Sequence, residues 1–431
     1  MEDWLTAAAR ARPDHEAVAA DDGSLSFAEL DERAAVRAGA LAGAGVRAGQ
    51  RVRLTHPPGL AFAEVLHALP RLGAVVEPGT PAEPPSPPPG EPGAATLRSE
   101  FDGEAVHTAI TTSGTTGAPK TVELTYANHL ASALASADAL GVEPGDRWLC
   151  PLPLHHVGGL NVLIRSAINR TTVVLHERFD AERVRATLEG GEVTLASLVP
   201  TMLARLRAAG LREAPGLRAI ALGGGPVPQG LLEWAAEAGI PVVPVYGMTE
   251  TCSQIVAGSP GRPLAGVELE IAPDGEILVR GPMVAPGAVA GDGWLHTGDL
   301  GRLDDDGRLH VLGRLKELIV TGGENVAPLE VEQALLAHPA IVDAGVAGLE
   351  DPEWGEAVTA FVVLREQAGA EELRAWCRER LEPFKVPKAI HAVERLPRNA
   401  GGKLLRGRLA ELVAGAAPDS RGGSGPGERR Q

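Results

Sequence analysis

Residues 111–120, TTSGTTGAPK, decide how this chain is read. They concentrate hydroxyls, two glycines and one lysine in ten positions. Glycines let a backbone turn tightly around a bulky anion, while hydroxyls and amide N–H groups point inward as donors. A lysine at the end adds a mobile positive charge. Such a loop suits a polyphosphate. It departs from the P-loop of nucleotide hydrolases, which has Gly directly before the Lys and a helix after it. Here Pro119 precedes Lys120, and TVELTY (121–126) reads as a strand. Gly/Ser/Thr-rich segments also serve as solvated linkers, so the rest of the chain must decide.

The 431 residues suffice for two or three units, and 44% hydrophobic with 22% charged residues is a globular composition. A net charge of −16 argues against nucleic-acid or anionic-membrane binding. A polyphosphate would therefore need a local basic cluster. Cys150, Cys252 and Cys377 are far apart in sequence and lack metal-type spacing, which points to free thiols in a reducing compartment. The stretch MEDWLTAAARARPDHEA is charged throughout and does not read as a signal peptide. With no apolar run of spanning length, the expectation is a cytoplasmic protein without membrane insertion.

Residues 1–75 alternate helical and extended patterns, with Ser26 as N-cap and Glu29 as its capping-box partner. RVRLTH (51–56) reads as a strand and AFAEVLHALPRLGA (61–74) as a crossover helix. Residues 77–99 are too rich in proline for a regular element and read as a loop. From 106 to 260 strands and helices alternate as in a doubly wound sheet, where ligands bind at the carboxyl ends of strands. Three such ends stand out: the 111–120 stretch, Gly223-Gly224-Gly225, and Tyr246-Gly247-Met248-Thr249-Glu250. A β-rich subdomain of about 262–312 follows, with hairpins at Asp274-Gly275 and Asp306-Gly307. The fold class is α/β: a large N-terminal domain (1–312) of doubly wound sheets plus the β-rich subdomain, then a small α+β domain (313–414). Residues 415–431 read as a disordered tail.

TTSGTTGAPK, PLPLHHVGGL (151–160), YGMTE (246–250), GWLHTGDLG (293–301), GRLKELIVTGGENV (313–326) and LPRNAGGKLLR (396–406) occur in this order. Together they resemble the signature motifs of the acyl-adenylate-forming superfamily of acyl-CoA synthetases, adenylation domains and luciferases. The resemblance implies ATP, Mg²⁺ and CoA as co-substrates and cofactors, a small-molecule carboxylic acid as substrate, and a possible homodimer. It implies that Thr112, Ser113, Gly114, Thr115, Thr116 and Gly117, with Lys120, hold the β- and γ-phosphates. Glu250 is then the Mg²⁺ ligand with Thr116, and Thr249 lies in the same ATP-binding motif. Gly224 and Gly225 let the adenine approach and Tyr246 stacks on it, Gly247 belongs to the same ATP-binding set, and Asp299, helped by Arg314, takes the ribose. Lys403 is implied as the catalytic lysine on the reacting carboxylate and α-phosphate, with Gly401 where the family often has Ser. Lys316 takes the hinge position of a swinging C-terminal domain, and Gly322 and Gly323 line the thiol's approach.

PLPLHHVGGLNVLIRSAINRTTVVLHERFD (151–180) and GMTETCSQIV (247–256) resemble the corresponding runs of o-succinylbenzoate–CoA ligases of menaquinone biosynthesis. That likeness implies His156 as a gate beside the carboxylate, with His155 replacing a Phe, and Gly158 near the acid. Arg165 lies in the apolar run LNVLIRSAI, where an unpaired charge is costly. It either reaches solvent, pairs with an acid, or receives the substrate's second carboxylate. The alternatives are a ligase or carrier-loading enzyme for another aromatic or short acid, and a catalytically silent nucleotide-binding protein. The chain also looks trimmed between about 77 and 107.

Overall fold

The computed structural model describes residues 1–82, 97–112, 120–398 and 404–414. Most of the Pro-rich run, Ser113 to Pro119, Lys403 and the tail from 415 lie outside these residues. The chain divides into two compact units, Met1–Leu315 and Lys316–Gln431.

In the large unit the Ser26 capping box forms as the sequence suggests. The Ser26 hydroxyl accepts from the Glu29 N–H at 3.2 Å, and the Glu29 carboxylate accepts from the Ser26 N–H at 2.8 Å. The helix Phe27–Gly43 that follows buries Leu30, Ala34 and Ala38 along one stripe. The main sheet has thirteen strands. Its parallel part runs through Val242–Met248, Ala219–Leu222, Leu195–Leu198, Arg147–Cys150, Thr172–Leu175 and Glu16–Ala20. Leu195–Leu198 and Ala219–Leu222 are buried at every position, as strands covered on both faces must be.

Strand Val242–Met248 changes partner along its length. Its first half pairs parallel with Ala219–Leu222, and from Val245 onward it pairs antiparallel with Ser253–Gly258, across an irregularity between Tyr246 and Gly247. The antiparallel pairing continues through Gly261–Pro263, Leu309–Arg314, Leu295–Leu303, Glu276–Arg280 and Glu268–Ile271. The β-rich stretch is thus joined edge-on to the parallel sheet. Both expected hairpins form as three-residue connections with Gly275 (φ 87°) and Gly307 (φ 71°) in the left-handed position.

A second sheet holds Arg51–Leu54, Val75–Pro78, Val106–Thr112 and Lys120–Thr125. The last two are antiparallel, with Thr112 opposite Lys120. TVELTY is therefore a strand up to Thr125, as the sequence suggests. Thr111, Thr112 and Lys120, the described residues of the 111–120 stretch, thus lie in strands of this smaller sheet, not at a strand end of the parallel sheet. Strand Val75–Pro78 also extends into the range read as a Pro-rich loop. Strand Lys120–Thr125 packs against the turn Thr249–Thr251, which brings this strand to the seam of the main sheet.

Two local constraints hold that seam. A Cβ on Gly247 would lie 2.0 Å from the Ser253 carbonyl oxygen. Cys252 (φ 51°) and Ser253 (φ 87°) both take left-handed backbone, a costly choice for residues with side chains. Below them lies a buried pair of histidines. His107 and His129 meet edge to face at 4.9 Å, and His129 Nε2 sits 2.9 Å from the Thr108 hydroxyl. Burial holds the His129 pKa down at about 3, and burial with His129 beside it holds His107 well below its ordinary value.

The small unit is built on the antiparallel pair Ile341–Asp351 and Gly355–Leu364, with helices Pro328–Leu336 and Ala370–Arg378. Val331, Leu335, Val346, Val358, Leu373 and Cys377 form its core. All three cysteines are free and buried. Among the described residues, no helix is long and apolar enough to cross a membrane.

Gly247→Ala should destabilise the large unit by about 1–3 kcal/mol, the usual cost of forcing an atom into a packed site. A lowered first unfolding transition in chemical denaturation would report it, and an unchanged one would contradict the seam geometry. The two histidines predict acid lability. Their folded pKa values are depressed, so the unfolded chain binds more protons below about pH 6.5 and stability falls as pH drops toward the folded pKa. Each contributes about 1.4 kcal/mol per pH unit over that window. His129→Gln should flatten the fall in melting temperature between pH 6.5 and 4; an unchanged slope would remove the explanation.

Candidate active site

Strands Leu295–Leu303 and Leu309–Arg314 are registered with Asp299 opposite Arg314. Arg314 Nε reaches Asp299 Oδ1 at 2.6 Å, and the Tyr246 hydroxyl donates to Asp299 Oδ2 at 2.9 Å. Asp299 is buried, and three strands contribute to its surroundings. An Asp beside a turn glycine ordinarily serves its own loop. This one instead draws side chains from two other strands. Burial and the adjacent Asp299 carboxylate push the Tyr246 phenol well above its ordinary pKa, so it remains a donor. The same hydrogen bond fixes the Tyr246 ring at the seam. Beyond Ala219–Leu222, Gly224 needs its glycine for a φ of 83°, whereas a Cβ on Gly225 would meet nothing within 4 Å. Gly247 is required by the sheet contact described above.

Two residues beyond strand Val242–Met248, Glu250 sits in the turn Thr249–Thr251. The Thr251 hydroxyl accepts from the Met248 N–H at 2.9 Å, and the Ala285 N–H donates to the Glu250 carbonyl at 2.8 Å. The backbone is thus fixed while the Glu250 carboxylate has no hydrogen bond or ion pair among the described residues. No group of three or more metal-ligating side chains occurs among those residues. One free carboxylate is a donor set that fits Mg²⁺, which keeps most of its waters and takes phosphate oxygens.

The helix Val157–Asn169 begins at His156, which is exposed, and the half-buried His155 ring lies 4.3 Å from it. Desolvation lowers the pKa of both, with His155 adding to the effect at His156. His155 Nδ1 is buried without a hydrogen-bond partner. Gly159 lets the helix start against the preceding turn, since a Cβ there would be 2.6 Å from the Pro153 oxygen. Gly158 has more room, its nearest neighbour being Leu152 at 3.7 Å.

Arg165 on this helix is only 3% exposed. It does not reach solvent, and it pairs with no acid among the described residues. Its Nη2 donates to the Ser132 hydroxyl at 2.9 Å, and its Nε is buried without a partner. Burial lowers its pKa to about 10, which leaves it cationic at neutral pH. Ser132 in turn donates to the Cys252 carbonyl at 2.7 Å, and Asn161 Nδ2 donates to the same oxygen at 2.8 Å. His129 Nδ1 lies 3.3 Å from the Cys252 sulfur. Two helices therefore grip the left-handed residue that follows the Glu250 turn. Burial raises the Cys252 thiol to about 11, so it acts as packing and not as a nucleophile.

In the small unit Lys316 is exposed, immediately after the division of the chain. Gly322 (φ 59°) and Gly323 (φ 87°) form a two-residue hairpin turn between Thr321 and Glu324, which itself demands glycine. Gly322 also packs under Trp354, 3.0 Å from where a Cβ would be. Ser113, Gly114, Thr115, Thr116, Gly117 and Lys403 lie outside the described residues. Lys403 is flanked by a described bridge between Arg398 and Leu404, and Arg406 is anchored on Glu317 at 2.9 Å.

Sequence reasoning missed His129, Ser132 and Glu276. The first two had a signal: His129, Ser132 and Ser136 recur at helical spacing on the otherwise apolar YANHLASALASADAL, a polar stripe facing the core. Glu276 had none beyond its hairpin.

The AMP-binding enzyme model matches residues 5–86 and 77–288, and the AMP-binding enzyme C-terminal domain model matches 330–403. A 2-succinylbenzoate–CoA ligase of Bacillus licheniformis is 47% identical over 340 residues, 71% of each chain. One from Bacillus cereus strain Q1 is 38% identical over 477 residues, covering 96% of this chain and 99% of its own. That alignment is longer than the 431 residues here, so the relative carries at least 46 residues (477 − 431) that this chain lacks. The o-succinylbenzoate CoA synthetase of Bacillus subtilis, solved with its acyl-adenylate intermediate, superposes with a TM-score of 0.86 at 37% identity, over 95% of this chain and 98% of that one. ATP-bound MatB of Rhodopseudomonas palustris gives 0.83 at 26% identity, over 96% and 99%. Matched along both units, and aligned with relatives over nearly its whole length, this chain belongs to the AMP-binding enzyme family.

Proposed function

We propose that this chain is an ATP-dependent acid–CoA ligase that converts o-succinylbenzoate to o-succinylbenzoyl-CoA, a step of menaquinone biosynthesis. The observation that carries the substrate is Arg165, a buried cation without an acidic partner among the described residues, in the helix that begins at His156. A fatty acid leaves such a charge uncompensated; a dicarboxylic acid supplies its counter-ion. The 2-succinylbenzoate–CoA ligases among its relatives support the same acid.

In the first half-reaction a substrate carboxylate oxygen attacks the α-phosphorus of ATP and pyrophosphate leaves. In the second, the CoA sulfur attacks the acyl carbon of the acyl-adenylate and AMP leaves. Two anions must approach, so the chain's task is positioning and charge neutralisation. Asp299 accepts from the ribose hydroxyls, with Arg314 and Tyr246 holding its orientation, and the Tyr246 ring and Gly224–Gly225 receive the adenine. Thr112 through Gly117 and Lys120 hold the departing phosphates. Glu250, with Thr116, holds Mg²⁺, which neutralises phosphate charge when bound. His156 shields the reacting carboxylate, Gly158 leaves room for the acid, and Arg165 takes its second carboxylate. Lys403 acts on the reacting carboxylate and the α-phosphate. Lys316 serves as hinge between half-reactions, a reading supported by the division of the chain at that residue, and Gly322 and Gly323 line the thiol's path. The acidic charge of −16 and three free buried thiols support an enzyme of the cytoplasm without nucleic-acid or membrane partners. A homodimer is compatible with this reading.

A pyrophosphate-release assay should show turnover with o-succinylbenzoate well above that with benzoate or a fatty acid; equal rates would contradict the assignment. Arg165→Met, which keeps most of the volume, should raise KM for o-succinylbenzoate about tenfold or more, the scale of one lost charge-assisted contact. KM for ATP should stay unchanged. An unaltered acid KM would remove Arg165 from the substrate site. Lys316→Pro should depress thioester formation far more than acyl-adenylate formation, and equal loss of both half-reactions would end the hinge role.

A further inference from the structure

The motif His296-Thr297-Gly298-Asp299 is organised around a carboxylate from a different strand. Glu276, at the start of strand Glu276–Arg280, is 8% exposed. One of its oxygens accepts the Gly298 N–H at 2.7 Å, and the other faces His296 Nδ1 at 2.7 Å. The far nitrogen of His296 faces Asp292 at 3.0 Å. Gly298 takes left-handed backbone (φ 69°) where the pairing is irregular between Glu276 and Leu278, and its N–H is satisfied by the Glu276 side chain. Thr297 adds a second tie, donating to the Ile277 carbonyl at 2.7 Å while accepting from the Asp299 N–H at 3.0 Å. The backbone on the N-terminal side of Asp299 is thus fastened twice to strand Glu276–Arg280.

We propose that Glu276 is a positioning residue for nucleotide recognition: by holding the Gly298 N–H it fixes the direction in which Asp299 presents its carboxylate to the ribose hydroxyls. This rests on the reading of Asp299 as the ribose acceptor. The Glu276 carboxylate is taken up by His296 and the Gly298 N–H, so it acts through Asp299. A carboxylate suits the place because its two oxygens serve two donors at once. A glutamine offers one oxygen and an amide NH₂, so one donor loses its acceptor. Asp292 and Glu276 are the carboxylates facing His296, and together they raise its pKa, which keeps its donor on Glu276.

The test compares dissociation constants of ATP and 2′,3′-dideoxyATP in the full chain, for wild type, Glu276→Gln and Glu276→Ala. Wild type should prefer ATP by about tenfold or more, the scale of charge-assisted hydrogen bonds. Glu276→Gln should shrink that preference at least about threefold and Glu276→Ala further, while the affinity for the dideoxy nucleotide stays near wild type. A general structural defect would weaken both nucleotides alike, and that outcome overturns the proposal. Retention of the full ATP preference in a folded Glu276→Gln protein also overturns it. Thermal melts report folding, and the size-preserving Gln variant decides if the Ala variant is unfolded. No preference in wild type would overturn the Asp299 reading itself, and the proposal with it.

Discussion

Strand Val242–Met248 must satisfy two kinds of pairing, and most of the site follows from that constraint. Its first half lies in a parallel sheet buried on both faces, and its second half opens an antiparallel ribbon. Where the pairing changes, the chain crowds: Gly247 has no room for a Cβ, and two residues with side chains are driven into left-handed backbone. Tyr246 and Glu250 sit on either side of this point. The antiparallel strands carry Asp299 and Arg314 back toward it. Strain of this kind persists only where neighbours over-determine it. Here Ser132 and Asn161 hold the Cys252 carbonyl from two helices.

The same grip gives Arg165 a second meaning. Its bond to Ser132 makes it part of the scaffold, yet one hydroxyl cannot compensate a buried guanidinium whose Nε has no partner. A purely structural position would be served as well by a neutral side chain of similar size. The retained charge is accounted for if an anion arrives with the substrate. A short chain of contacts runs from Arg165 through Ser132 and the Cys252 carbonyl to the turn bearing Glu250, and under the proposed function it links the acid to the nucleotide.

Much of this was legible in the sequence. Residue types with strong local rules announced themselves: the Ser26 capping box, the Asp-Gly hairpins, and the strand in TVELTY. The ordered motifs led to the right family, because each is short and chemically specific. What stayed hidden depends on long-range register. Nothing local reveals that Thr112 and Lys120 lie in strands of a separate small sheet, or that the β-rich strands continue the parallel one. Glu276 looked like an ordinary strand residue, since its role depends on a turn more than twenty positions later. Gly247, Gly322 and Gly323 carry functional expectations, yet each also has a steric or turn requirement of its own. A motif glycine is not by itself evidence of a ligand.

The account depends most on a buried, acid-free cation selecting a dicarboxylic acid for adenylation and thioester formation. Mass spectrometry of the products formed from ATP, CoA and an equimolar mixture of o-succinylbenzoate, benzoate and a fatty acid tests this directly. The account predicts AMP and o-succinylbenzoyl-CoA as the dominant products. A dominant thioester of either monocarboxylic acid, or ADP in place of AMP, would contradict it.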